Sequence, residues 1–286
     1  MRIRSLVPLA AALLIAAGCG RLTGSGSGSE GTRHPTGGDE LILRVETGGG
    51  FIPPNYSLRQ IPGFSLYGDG RVITQGAQIE IYPGPALPSI VETRLTEDGI
   101  QAILEAARDA GLFGPDRHYD YPGIADAPTT TFTLDADGAE HVISAYALGE
   151  GQDATGLSEE DAEARAKLAR FQGKLTDLRS WLPGGSVGDE AQLSFDELRV
   201  YVQPYAQAPD QGLVEPKVDW PLDPPLSTFG EPVTDLQDTR CGAVSGDELT
   251  ALLPLVRGSN ELTPWTSAGS EFLLLFRPLL PNEHGC

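Results

Sequence analysis

Reactive side chains are scarce in this sequence: 286 residues hold three cysteines and four histidines. No Cys-x-x-Cys pair and no Cys/His cluster occurs, so zinc finds no ligand set of the usual spacing. A Gly-x-x-x-x-Gly-Lys-Ser/Thr phosphate loop and a His-Glu-x-x-His helix are also missing. Asp135-Ala136-Asp137-Gly138 has a fragment of calcium-loop spacing. It lacks the third acidic ligand and the distal bidentate glutamate, which leaves a hairpin turn as the better reading. The sequence therefore predicts no cofactor and no metal. Positive charge is scarce too, with 20 Lys and Arg against 40 Asp and Glu, a net charge of −20. A polyanion such as nucleic acid, or an anionic lipid surface, would be repelled over most of such a molecule. Solubility accounts for the acidity, and a cationic or peptide partner is the alternative.

Long apolar runs are absent except at the start. Met1-Arg2-Ile3-Arg4 is basic, Ser5 to Ala17 is uncharged and mostly apolar, and Gly18-Cys19-Gly20 is small. That order is a secretory signal, and its apolar part is shorter than the ~20 residues of a membrane span. Leu14-Ile15-Ala16-Ala17-Gly18-Cys19 resembles the bacterial lipobox, with Ala16 where that family usually has leucine. The resemblance implies cleavage after residue 18 and a thioether-linked diacylglycerol on Cys19. The partner is then a lipid bilayer, and the location is the outer face of the cytoplasmic membrane. Two acyl chains hold a bilayer stably where one does not. From Gly20 to about Gly38 the chain is polar and rich in Gly and Ser, a flexible tether. With Cys19 lipidated, Cys241 and Cys286 remain as an even pair in a disulfide-permissive compartment, and a disulfide between them is expected.

The body is expected to be α+β, made of antiparallel hairpins packed with a few amphipathic helices, in segments 39–185 and 190–286. Leu41, Leu43 and Val45 alternate as a strand should. Tyr56 to Tyr67 and Val72 to Tyr82 read as strands joined at Tyr67-Gly68-Asp69-Gly70, because Asp-Gly tolerates the positive φ of a tight turn. Thr129 to Leu134 and His141 to Tyr146 make a second hairpin. A helix opens at Thr96, with Thr96 as cap and Leu95 and Ile100 as a staple. A second begins after Ser158 and carries the seam Leu168, Phe171, Leu175, Leu178 and Leu182 until Pro183-Gly184-Gly185. Phe195 to Val202 reads as a strand, 204–232 as a proline-rich loop, Ser245 as the start of a helix that Pro254 kinks or shortens, and Phe272 to Phe276 as a buried strand. Residues 95–104 and 244–253 match in pattern. That match fits either an old sheet-plus-helix duplication or two well-capped helices of the same kind.

Tyr56-Ser57-Leu58, Tyr67 to Val72 and Asp126-Ala127-Pro128-Thr129 together resemble a small bacterial secreted domain of unknown function over residues 50–182. The ending Arg277 to Glu283, closed by Cys286, resembles uncharacterised lipoproteins of high-GC Gram-positive bacteria. Neither resemblance implies an activity. The cluster with the most chemistry is His118, Tyr119 and Asp120, followed by Asp126; it either lines a site or pins a loop to a sheet edge. Of the other histidines, His34 lies in the tether, His141 begins a strand and His284 is two residues from the end. Trp220 and Trp265 either pack inside or form an aromatic peptide-binding surface. The sequence thus reads as a tethered binding or interaction module with a protein or peptide partner at the envelope, and not as an enzyme. The alternatives are a cell-wall or peptide hydrolase, and a solute-binding subunit of a transporter.

Overall fold

A computed structural model describes residues 31–78, 80–150, 156–206 and 216–286, so the signal segment, Cys19 and most of the tether lie outside the described residues. Thr32–Cys286 forms one compact unit. Its first sheet starts with β1 (Leu41–Gly48), which a helical turn, α1 (Pro54–Arg59), separates from β2 (Phe64–Tyr67) and β3 (Arg71–Gln75). β4 (Ile90–Arg94) leads into α2 (Glu97–Asp109), and β5 (Arg117–Tyr119) precedes the long hairpin of β6 (Thr129–Ala136) and β7 (Ala139–Tyr146). α3 (Glu159–Leu175) follows, and β8 (Ala191–Gln192) completes the sheet. The strand order is β5-β7-β6-β1-β2-β3-β4-β8, antiparallel except where β5 meets β7.

The two Asp-Gly hairpins form where the turn chemistry places them. Gly70 has φ +84° and Gly138 φ +80°, and any Cβ on Gly70 would collide with the Leu95 carbonyl. Ser158 caps α3, its Oγ accepting the Asp161 N–H at 3.0 Å. The seam Leu168, Phe171, Leu175, Leu178 and Leu182 is buried, together with Ile100, Ile103, Leu104 and Ala107 of α2. Both helices thus cover one face of the first sheet.

Five local expectations are corrected. Tyr56 does not begin a strand: Pro53 and Pro54 preset the backbone for a helix start, and α1 forms instead. β3 ends at Gln75, after which the chain leaves the sheet. Leu41 does not share a face with Leu43 and Val45. A register shift between Leu41 and Leu43 brings Ile42 and Leu43 into the core under the helices and sends Leu41 to the other face. Thr96 makes no side-chain cap; its N–H bonds the Ser186 carbonyl. The tether, expected through Gly38, is bound from Thr32 onward. Thr32 and Gln101 exchange hydrogen bonds of 2.8 and 2.9 Å, Arg33 N–H donates to Asp137, and His34 Nε2 lies 3.2 Å from Glu97.

The second sheet is built on β9 (Glu197–Pro204), flanked by β12 (Arg240–Ser245) and β14 (Ser270–Pro278). Two-residue strands β10 (Val218–Asp219) and β11 (Glu231–Pro232) close its edges, with β13 (Pro264–Ser267) between β10 and β14. α4 (Gly246–Arg257) packs Leu249, Leu252 and Val256 on this sheet and runs three residues past Pro254. Trp220 and Trp265 are core residues, 8% and 1% exposed, in an edge-to-face chain with Phe229 and Phe276. A surface of stacked tryptophans is thereby excluded.

A C-terminal strap ties the sheets together. Cys241 and Cys286 form a disulfide. Arg277, 6% exposed, donates to both Glu283 oxygens at 2.7 and 2.8 Å and to the Gln60 carbonyl at 2.7 Å. Tyr67 OH donates to Asn282 at 2.8 Å, and Leu280 packs with Tyr67, Ile73 and Ile90 on the uncovered face of the first sheet. The connection after β3 crosses over as well: Ala86 N–H bonds the Ser259 carbonyl, and Glu261 N–H bonds the Gly84 carbonyl.

Burial pushes the Glu283 carboxyl up, but hydrogen bonds from Arg277 and the Leu280 N–H, with the Arg277 charge, more than offset it. The carboxyl is held below the ordinary glutamate range. Its stabilisation is therefore complete above the unfolded-state pKa and lost as pH falls through the lower folded one. Urea unfolding should show stability falling below about pH 4.3. Glu283→Gln should lose about 3 kcal/mol at neutral pH and flatten that acid limb. Cys286→Ser should remove up to about 4 kcal/mol on the loop-entropy account of its 45-residue separation. An unchanged acid limb in Glu283→Gln would contradict the pair's role.

Candidate functional site

His118 lies on β5 at the edge of the first sheet. Its Nδ1 is 2.8 Å from Ser144 Oγ and its Nε2 is 3.1 Å from Asp120 Oδ1. A histidine between a hydroxyl and a carboxylate is the nucleophile, base and orienter arrangement of acyl-transfer sites. Here it sits in the open: the His118 side chain is 49% exposed and that of Asp120 90%. Solvent keeps the local dielectric high and the interactions weak. Asp126 is not part of the group. It adopts φ +58° and its carbonyl accepts the Phe51 N–H at 3.2 Å. Tyr119 turns inward against the first core, with Arg117 over its ring at 4.7 Å.

Arg165 of α3 holds this loop, and the sequence reading passed over it. It is fully buried, donating from Nη1 to the Tyr119 and Asp120 carbonyls and from Nη2 to the Ala147 carbonyl at 2.9 Å. Its guanidinium also lies 4.8 Å from the Tyr121 ring centre. Burial lowers its pKa, and Tyr121 and Asp161 pull it back up. Arg165 stands one turn before Leu168 on the same seam, which is the signal that could have exposed it.

Gly184-Gly185-Ser186-Val187-Gly188 was a further omission, because it has the Gly-x-Ser-x-Gly spacing of a nucleophile elbow. The geometry does not fit one. Ser186 is 3% exposed and lies in the loop before β8, not on a strand-to-helix turn. Its carbonyl anchors Thr96.

The principal concavity is a cavity of about 1200 Å³. Its first-sheet wall carries Val45, Phe64 and Val72, with Thr47 and Thr74 beside them on β1 and β3 and Thr93 on β4. The end of α3 adds Gln172 and Leu175, the turn after it adds Leu178, and β14 adds Leu273 and Leu275. Tyr56 of α1 and Tyr82 of the crossing connection stand at it while remaining 56% and 60% exposed. Among the described residues no histidine, serine or cysteine lines it. Two arginines do, and both are held. Arg59 donates to the Pro85 and Ala86 carbonyls and lies 3.5 Å from Glu261. Arg179 donates to the Val187 and Gly188 carbonyls. Burial lowers the Arg59 pKa, with Glu261 partly restoring it. His118, Tyr119, Asp120 and Asp126 line no part of this cavity.

Arg165→Ala should cost about 3 kcal/mol in urea unfolding, because it strands buried carbonyls and opens a void. His118→Ala should stay within about 0.5 kcal/mol, as an exposed substitution does. Equal losses in the two variants would contradict this division of roles.

No protein-family model, curated protein or solved structure matches this chain.

Proposed function

We propose that this protein is a lipoprotein anchored through Cys19 to the outer face of the cytoplasmic membrane, where it acts as a binding module. The observation that carries the binding role is the cavity that both sheets line, with apolar side chains over much of its wall and, among the described residues, no histidine, serine or cysteine. A ligand site of mostly apolar surface with a few polar groups is the usual form of such a cavity. The anchoring part rests on Ala16-Ala17-Gly18-Cys19 and on the place where the folded unit begins, at Thr32.

A hydrolase is the second reading, favoured by one observation: His118 lies between Ser144 and Asp120. Its open position on an edge strand favours the binding role. Antiparallel hairpins, in place of alternating βα units, speak against a transporter's solute-binding subunit.

Cys19→Ala should shift the protein from the detergent phase to the medium or leave an unprocessed precursor. Unchanged partitioning would contradict the anchor. Ester or peptide hydrolysis by purified protein that disappears in His118→Ala would favour the second reading over the first.

A further inference from the structure

We propose that the cavity binds an uncharged acyl lipid taken from the bilayer, with its chains against the apolar walls and its head among the threonines and glutamines. The proposal deepens the binding role given above.

Size is the first argument. Clefts for drug-sized ligands measure roughly 300–1,000 Å³. At about 1200 Å³ this cavity exceeds that range. Its walls are supplied by Val45, Phe64, Val72, Leu175 and Leu275, all of them core residues of the sheets and α3. Long chains lie along such walls without asking for hydrogen bonds, and the polar residues of the lining leave a place for a head.

Charge is the second argument, and it selects the head. The lining holds two arginines against Asp177, Glu190 and Glu261. Arg59 Nη2 donates to the Pro85 and Ala86 carbonyls, its Nη1 faces Glu261 at 3.5 Å and its Nε is buried without a partner, while both terminal nitrogens of Arg179 donate to carbonyls. A carboxylate or phosphate head wants a bidentate cation and would find none uncommitted in this lining. The protein's net charge of −20 repels it further. Thr74 and Gln172 offer hydroxyl and amide groups that suit an ester or alcohol, while the Thr47 and Thr93 hydroxyls already bond Thr130 and the Gly188 carbonyl.

The mouth is the third argument. Tyr56 and Tyr82 line the cavity while 56% and 60% exposed. Aromatic residues settle at a membrane interface.

The test uses the full chain carrying Cys19→Ala, which has no anchor, so lipid uptake and anchoring succeed or fail independently. The probe is diacylglycerol with a diazirine near one chain end, presented in phosphatidylcholine vesicles. After separation from the vesicles and illumination, one lipid per chain should be recovered covalently bound. The adducts should map to peptides containing Val45, Phe64, Val72 or Leu175. Thr74→Trp and Thr93→Trp, which fill the space from two different strands, should each reduce uptake at least tenfold while unfolding cooperatively. Tyr56→Ser with Tyr82→Ser should slow uptake and leave the final occupancy unchanged. Adducts confined to Phe51 or Ile81, full uptake in a folded plug variant, or a phosphatidic acid probe taken up as well as the diacylglycerol would each overturn the proposal.

Discussion

Arg277 places a guanidinium where only 6% of the residue is exposed, and Glu283 meets it with both carboxylate oxygens. A buried charge of this kind is tolerable only when fully paired. The pairing dictates much of what surrounds it. Glu283 must return to Arg277 six residues on, which folds the chain end into a strap. The strap brings Leu280 onto the uncovered face of the first sheet and Asn282 to Tyr67. The third nitrogen of Arg277 reaches Gln60 in the link before β2, so one side chain of the second sheet fixes a turn of the first. Burial, followed by the Glu283 charge, raises the pKa of the Tyr67 hydroxyl far above its ordinary value, which keeps it a hydrogen-bond donor. The disulfide then closes the strap against β12.

The elements most legible in sequence are those with local causes. Asp69-Gly70 and Asp137-Gly138 demand positive φ within a few residues, and each hairpin forms there. Ser158 and the seam after it specify α3 by cap and period alone. What sequence could not supply is decided by distant partners. β4 and β12 carry charged residues such as Glu92, Arg94 and Arg240 and are strands because neighbouring ladders recruit them. The strand expected to reach Tyr82 ends at Gln75, and farther on Gly84 and Ala86 bond Glu261 and Ser259 of the second segment. The tether's last residues order because Gln101, Asp137 and Glu97 lie beneath them. The Cys241–Cys286 pairing was accessible through compartment and count, without geometry.

The cavity was not legible at all. Val45, Val72, Leu175 and Leu275 lie far apart in sequence, and no periodicity encodes the space between them. The cluster that sequence did single out is real as a set of hydrogen bonds. It is built on Arg165, whose burial under the loop explains why His118, Tyr119 and Asp120 hold their places. Its exposure on an edge strand contrasts with the deep concavity elsewhere, whose walls carry buried core residues, and that contrast underlies the choice of a binding role.

The central claim is that the two sheets, joined by the Arg277 strap and enclosing the cavity between them, unfold as one body. The three tryptophans divide between the sheets: Trp181 packs at the first core, Trp220 and Trp265 lie in the second. Urea unfolding followed by fluorescence tests the claim most directly. One variant keeps only Trp181, through Trp220→Phe and Trp265→Phe; the other replaces Trp181 by Phe. The two core substitutions lower stability themselves, so each variant is also followed by circular dichroism. Within each variant the fluorescence and circular dichroism curves should coincide, and Arg277→Ala added to either should separate them. Curves that already separate with Arg277 intact would contradict the account.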